Sequence, residues 1–234
     1  MREKGCTITI ALILMISLVI FLNIISDKSN ATPTVEKFAL IAVSSVNQTH
    51  ETEYDKSIAF YEYLIDEGYT QENIYYYGPD SITYTDDEST VSNIEEGFES
   101  IINASTIDDD VVIYISDHIQ HISVVQFYFN DGVIDGTQMG SWLDSISCSD
   151  LTFIMNGNRS GLVQDFREPG RTIMSSMSSI DEFSPDYFNI TRSLENNLAD
   201  ANWDGVVSFT EAFYYERYLL FINQYPQHPQ IWID

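Results

Sequence analysis

Short apolar runs that alternate with segments of helical periodicity constrain the fold of this chain more than any other feature. Residues 37–45 (KFALIAVSS) and 110–116 (DVVIYIS) are dominated by apolar side chains, as strands covered on both faces require. Residues 54–67 lie between them, carry apolar side chains at helical spacing and are followed by Gly68, a common helix terminator. Strands joined by helices in this order run parallel. The sequence therefore predicts an α/β fold with an open, mostly parallel sheet and helices on both faces.

The other predicted elements continue this alternation. Asn130-Asp131-Gly132 stands between two apolar segments and favours a β-hairpin over residues 122–135. We expect one domain at residues 37–234, preceded by a polar linker at residues 27–36. The predicted strands are residues 37–45, 73–77, 110–116, 151–155 and 172–176, and the predicted helices are residues 54–67, 90–102, 139–146, 187–199 and 208–224.

The N-terminal segment predicts a membrane anchor. An apolar run extends from Cys6 to Ile25, and roughly 20 such residues span the core of a bilayer. Arg2 and Lys4 precede it, which favours a cytoplasmic N-terminus and an extracytoplasmic domain. We therefore predict a single-pass signal-anchor over residues 1–26. A cleaved signal peptide that ends at small residues 29–31 (SNA) is the alternative.

The charge balance limits the classes of partner. The 234 residues contain 36 Asp and Glu against 10 Lys and Arg, which gives a formal net charge of −26. Because the phosphates of nucleic acids need a basic surface, we expect no nucleic-acid partner. The two cysteines, Cys6 and Cys148, fall in the predicted anchor and in the domain, so we expect no disulfide framework.

Residues 200–211 (DANWDGVVSFTE) carry oxygen donors at the spacing of an EF-hand calcium loop. Ca²⁺ takes six to eight oxygen ligands, and the twelve-residue loop supplies them from positions 1, 3, 5, 7, 9 and 12, with a glycine at position 6. A solvated acidic turn is the alternative interpretation. The sequence predicts Ca²⁺ as a cofactor, bound by Asp200, Asn202, Asp204, the backbone carbonyl of Val206, Ser208 and the bidentate carboxylate of Glu211.

Two polar loops follow neighbouring predicted strands. Residues 117–121 (DHIQH) come after the strand at 110–116, and residues 156–161 (NGNRSG) come after the strand at 151–155. In an open parallel sheet, sites lie at the carboxyl ends of adjacent strands. A histidine at one strand end beside a nucleophile at the next is a general arrangement for acyl transfer.

At these loops the chain resembles the caspase/legumain-like clan of cysteine peptidases, nearest its legumain-type branch of asparaginyl endopeptidases. The resemblance extends from about Lys37 to the C-terminus. The family's Asp-His-Gly motif aligns with Asp117-His118-Ile119, which makes His118 the catalytic base position. Its Asp/Glu-Ala-Cys-x-Ser-Gly motif aligns with residues 156–161, which makes Asn158 the nucleophile position. Residues 171–176, 210–213 and 228–231 also resemble segments of the family.

The departures from this pattern predict a different function. An amide nitrogen is no nucleophile, so Asn158 implies that cysteine-peptidase chemistry is lost. The resemblance then implies a pseudopeptidase that binds a peptide or protein in its remnant cleft. The alternative is an active hydrolase that uses His118 with Ser160 or with a bound metal. Asp117, His118 and His121 are a candidate transition-metal set, and His118 as a plain hydrogen-bonded residue is a further alternative.

Overall fold

The computed structural model describes residues 35–44, 51–79, 82–116, 119–121, 123–179 and 187–233. The chain divides into two compact units, Met1–Val35 and Glu36–Asp234. The predicted anchor at residues 6–25 lies outside the described residues. In the described ranges, the helices are all too short or too polar to span a bilayer.

The second unit contains nine strands and five α-helices within its described ranges. Three short 3-10 helices lie at Gln71–Asn73, Ser160–Phe166 and Asn197–Ala199. The strands are β1 (Lys37–Val43), β2 (Ile74–Tyr77), β3 (Asp110–Ser116), β4 (Ile119–His121), β5 (Val125–Phe129), β6 (Gly132–Asp135), β7 (Asp150–Asn156), β8 (Arg171–Ser175) and β9 (Gln230–Ile233), and the helices are α1 (Glu51–Asp66), α2 (Val91–Ala104), α3 (Gly136–Ser145), α4 (Ile190–Leu194) and α5 (Phe209–Ile222).

The main sheet has six strands in the order β2-β1-β3-β7-β8-β9. The first five run parallel and β9 pairs antiparallel with β8. Strands β4, β5 and β6 form a separate antiparallel sheet. The predicted α/β class with a mostly parallel sheet is therefore confirmed.

Two apolar clusters cover the two faces of the main sheet. Along β1 the side chains alternate between them: Phe38 and Leu40 face one cluster, whereas Ala39 and Ile41 face the other. Helices α2 and α3 pack on the first face, and α1, α4 and α5 pack on the second. Since both clusters lie within residues 36–234, this unit carries its own hydrophobic core.

Some predicted boundaries need correction. The helix predicted at residues 187–199 is only the short α4 followed by the 3-10 helix Asn197–Ala199. The side chain of Asn196 accepts a hydrogen bond from Leu198 N, which starts a new turn and interrupts the helix. The hairpin strand predicted from residue 122 begins at Val125, and β4 extends the hairpin to three strands. Strand β9 follows a proline-containing stretch, and the sequence pattern does not predict it.

Candidate functional site

The parallel register brings polar residues together at the carboxyl end of the main sheet. Ser116 ends β3 opposite Asn156, which ends β7. The backbone N–H of Ser44, just after β1, donates to the carbonyl of Ser116 at 3.1 Å. The N–H of Ser176, just after β8, donates to Met155 at 3.0 Å. Four neighbouring strands thus deliver polar residues to one edge, where a parallel sheet places its sites.

A buried carboxylate lies at this edge. Glu53 is in the first turn of α1 and is 7% exposed. Its carboxylate accepts hydrogen bonds from Lys56 Nζ at 2.8 Å, from Ser116 Oγ at 3.3 Å and from Asn156 Nδ2. The helix N-terminus also favours a negative charge at this position. The site is therefore a paired charge surrounded by amide and hydroxyl groups.

Asn156 links this carboxylate to the loop that follows β7. It is 1% exposed, and its Nδ2 also lies 3.3 Å from the hydroxyl of Tyr114. Within the described part of the chain, Oδ1 of Asn156 has no hydrogen-bond partner, and the same is true of Oδ1 of Asn158. Such buried acceptors are rare in folded proteins and carry a desolvation penalty. These two acceptors are unsatisfied and lie beneath the surface of this edge.

The predicted nucleophile position is held by a tight turn. Gly157 has φ of 143° and Arg159 has φ of 56°, so Asn158 lies between two residues of positive φ. The N–H of Gly157 donates to Ser176 Oγ at 2.9 Å. The turn fixes the backbone, but the side chain that it presents is an amide without nucleophilic character.

Ser160, the alternative nucleophile, is a structural residue of this loop. It is 0% exposed, and its Oγ accepts the N–H of Met177 at 2.9 Å. It also lies 3.3 Å from Ser176 Oγ. A Cβ added at the neighbouring Gly161 would lie 2.5 Å from the backbone N of Ser179. Ser160 and Gly161 therefore hold the loop against the segment after β8, which disfavours Ser160 as an attacking group.

The predicted histidine site is only partly described. Asp117 and His118 lie outside the described residues. Ile119, at the family's glycine position, is fully buried in β4 opposite Phe127. Because this position lies in a strand that packs in the core, an apolar residue is expected there. His121 is exposed at the end of β4.

Cys148 and this edge lie at opposite ends of β7. It precedes β7, at the amino end of the parallel strands. Burial, with a contribution from the carboxylate of Asp150, raises the pKa of the Cys148 thiol to about 11. A protonated thiol at neutral pH is a poor nucleophile.

The predicted calcium loop folds around its own carboxylates. Oδ1 of Asp200 accepts the N–H of Trp203 at 2.7 Å, and Oδ2 accepts the N–H of Gly205 at 3.0 Å. Trp203 and Gly205 have φ of 63° and 90°, which turn the chain sharply at loop positions 4 and 6. Asn202 accepts from Asp204 N at 2.8 Å, and Asp204 accepts from Val206 N at 2.9 Å. Successive side-chain caps thus direct the oxygens of positions 1, 3 and 5 into the loop.

Glu211 closes the loop from its last position. One carboxylate oxygen accepts the N–H groups of Ala201 and Asn202 at 3.1 and 3.2 Å. The other accepts Ser208 N at 3.0 Å and Ser208 Oγ at 2.8 Å, which forms a capping box at the start of α5. Hydrogen bonds from Ser208, followed by those from Asn202 and Ala201, lower the pKa of Glu211. It is therefore ionised at neutral pH.

One apolar residue of the loop contacts the core of the domain. Val207 packs against the cluster beneath α5, whereas Trp203 is 85% exposed.

Over the described ranges, the His, Cys, Asp and Glu side chains form no group of three or more placed to hold a metal ion. The loop carboxylates instead accept backbone N–H groups, and each ionised carboxylate has about four lone-pair sites, which leaves oxygen capacity for a cation.

No protein-family model matches this chain, and a search of curated proteins finds no relative. The legumain-type resemblance thus stays a hypothesis carried by the residues around Asn158 and His118.

Proposed function

We propose that this chain is a membrane-anchored, exported, calcium-binding protein with a legumain-type fold, and that its remnant cleft binds a peptide or protein without cutting it. The anchor is residues 6–25, and the domain faces the extracytoplasmic side. The observation that carries the calcium assignment is the bridging of Trp203 and Gly205 by the carboxylate of Asp200. That bridge gives the loop the turn that calcium coordination needs.

The calcium site acts as a structural element in this proposal. The loop joins α4 and its following 3-10 helix to α5, which packs on the sheet through Ala212, Phe213 and Leu220. Ca²⁺ bound by Asp200, Asn202, Asp204, Val206, Ser208 and Glu211 would bring together carboxylates that otherwise repel. An exported site meets calcium continuously, so the ion stabilises the domain and is not a switch.

The cleft binds its ligand through hydrogen bonds. The Oδ1 atoms of Asn156 and Asn158 are buried and unsatisfied in the free protein, and a peptide whose N–H groups reach them would satisfy them. Asn158 replaces a thiolate with an amide, and Ser160 is buried and hydrogen-bonded. These features favour peptide binding over cleavage.

The calcium assignment is tested by thermal unfolding of residues 36–234 in calcium and in chelator. A ligand at a hundredfold excess over its Kd stabilises the folded state by about 2.7 kcal/mol, so calcium is expected to raise the Tm. Glu211→Gln keeps the capping box but removes the charge and the bidentate geometry, and should lose most of this gain. Glu99→Gln, the same change on the exposed side of α2, is the matched control and should behave as wild type.

An active hydrolase that uses His118 with Ser160 or a metal is the second candidate. It is distinguished by incubating the wild-type domain with a fluorogenic peptide library. We expect no cleavage, because Asn158 cannot attack a carbonyl. Cleavage that disappears in His118→Ala would favour the hydrolase and overturn the pseudopeptidase proposal.

A further inference from the structure

Helix α5 is apolar on two opposite faces. Phe213 and Leu220 are buried against the main sheet. On the opposite side lies an aromatic stripe, defined here as five exposed residues that follow one another along the helix and its C-terminal turn. Helices with apolar residues all round are typically covered on both sides. The stripe consists of Tyr214, Tyr218, Phe221, Ile222 and Tyr225, which are 53%, 56%, 80%, 47% and 38% exposed.

The spacing of the stripe matches the surface of a helix that packs on another helix. Within the helix, Tyr214, Tyr218 and Phe221 follow one another at intervals of four and three residues. This spacing is the a/d seam by which paired helices interlock. Tyr225 lies beyond the helix, after a left-handed turn at Gln224 with φ of 58°, and borders the stripe with its ring stacked on that of Tyr187 at a centroid distance of 3.9 Å. The expected occupant is therefore a second helix.

The charge distribution leaves the stripe as the face on which two copies repel each other least. The protein has a formal net charge of −26, so two copies repel each other over most of their surface. From Ala212 to Ile233, Glu216 and Arg217 are the only charged residues. Glu216 is fully buried and paired with Arg192. The stripe itself therefore presents no exposed carboxylate.

The size and composition of the stripe fit a symmetric interface. Since an aromatic side chain carries ~150–250 Å² of surface, the exposed part of the stripe amounts to roughly 500 Å². The largest apolar patches of ordinary monomers reach about 300–600 Å² and are often functional. Two such patches and their rims approach the ~1,200 Å² at which specific interfaces begin. Tyr, Phe and Arg are enriched at interfaces, whereas Lys, Glu and Asp are depleted. The stripe and the neighbouring Arg217 have this composition.

We propose that the aromatic stripe of α5 is the interface of a twofold-symmetric homodimer, in which the α5 helices of two copies pack on each other. Closed twofold dimers are the commonest symmetric assembly, and the same patch on both subunits forms their interface. The proposal depends only on described residues of α5 and its C-terminal turn, and it is independent of the calcium site and of the cleft.

Sedimentation equilibrium of residues 36–234 over a range of concentrations tests this dimer. The wild type should dimerise, and Tyr218→Ser and Phe221→Ser should each raise the dimer Kd about tenfold or more, as expected for aromatic residues at an interface centre. Ile107→Ser is the matched control, because Ile107 is 74% exposed in the turn before β3. It should dimerise as wild type does. An unchanged Tm of each variant, measured at a concentration where all are monomeric, confirms that the fold is retained.

A wild type that stays monomeric at every concentration would overturn the proposal. Equal dimerisation of wild type, Phe221→Ser and Tyr218→Ser would also overturn it, because the contact would then lie elsewhere. A monomer that co-sediments with phosphatidylcholine vesicles, with loss of binding in Phe221→Ser, would assign the stripe to a lipid surface instead.

Discussion

At the scale of single residues, a buried aspartate ties the start of the domain to the turn between α2 and β3. Asp109 is 4% exposed and accepts hydrogen bonds from Glu36 N at 2.7 Å and from the N–H and hydroxyl of Thr106, both at 2.8 Å. Burial alone raises the pKa of Asp109, but these hydrogen bonds outweigh it and leave the pKa below its ordinary value. The ionised form is therefore the one that stabilises the fold.

Replacing Asp109 should destabilise the domain. Asp109→Ala leaves buried donors without an acceptor and is expected to lower the free energy of unfolding by about 1–3 kcal/mol, measured by urea denaturation. Because the folded pKa is depressed, this contribution is present above the unfolded value near pH 4 and is lost as the pH falls through the folded pKa. The difference from wild type should narrow on acidification. Asp108→Ala, at the exposed neighbour, should change little, and an equal effect of the two variants would contradict this account.

At the scale of elements, α4 and α5 are joined by one buried carboxylate. Glu216 is 0% exposed and accepts hydrogen bonds from the hydroxyl of Ser193 at 2.5 Å, from Asn189 N at 3.1 Å and from the guanidinium of Arg192. Ser193 is also fully buried, whereas the side chain of Arg192 is 48% exposed. Glu216 therefore needs its hydrogen-bond partners more than Arg192 does, because the carboxylate is buried and the guanidinium is half-exposed to water.

This asymmetry predicts unequal effects of mutation. Glu216→Ala leaves Ser193 and a backbone N–H without an acceptor, so we expect a loss of about 2–4 kcal/mol of unfolding free energy. Arg192→Ala removes the cation beside a fully buried carboxylate but leaves that carboxylate two other donors, so we expect a smaller loss, about 1–2 kcal/mol. Chemical denaturation of both variants measures the difference. Similar losses in the two would show that the ion pair, and not the hydrogen-bonded carboxylate, joins the helices.

The elements that the sequence predicts well are those with a strong local pattern. Strands β1, β3 and β7 are continuous apolar runs, and β3 matches its predicted bounds, Asp110–Ser116. Strands β4 and β9 have three and four residues, too few for a period to show. The predicted helix at residues 187–199 fails because asparagine side chains cap turns inside it.

The calcium loop and the Glu53 site also differ in how far the sequence predicts them. Loop positions 200–211 are contiguous, so the sequence alone predicts their oxygen donors, although it does not predict the side-chain caps that the structure shows. The sequence alone does not predict the Glu53 site, because its partners Ser116 and Asn156 are 63 and 103 residues away along the chain. Only the pairing of β3 with β7 brings these residues beside α1. A carboxylate in the first turn of a helix after a buried strand is the one local signal that could have indicated it.

At the scale of the whole molecule, the formal net charge of −26 destabilises the folded state through electrostatic repulsion. A divalent cation bound in the proposed loop site would reduce this charge at Asp200, Asp204 and Glu211. The proposed calcium site would therefore connect the acidic composition, the loop and the stability of the domain.

Isothermal titration of calcium into chelator-treated residues 36–234 tests this claim most directly. We predict one site per chain with a Kd between ~10⁻⁷ and ~10⁻³ M, the range of EF-hand sensors and extracellular modules. Asp200→Asn should weaken binding at least about tenfold, because each charged ligand contributes to affinity. Asp165→Asn, at an exposed residue outside the loop, should bind as wild type does. Absence of calcium binding at millimolar concentration, or equal binding by Asp200→Asn and wild type, would contradict the account.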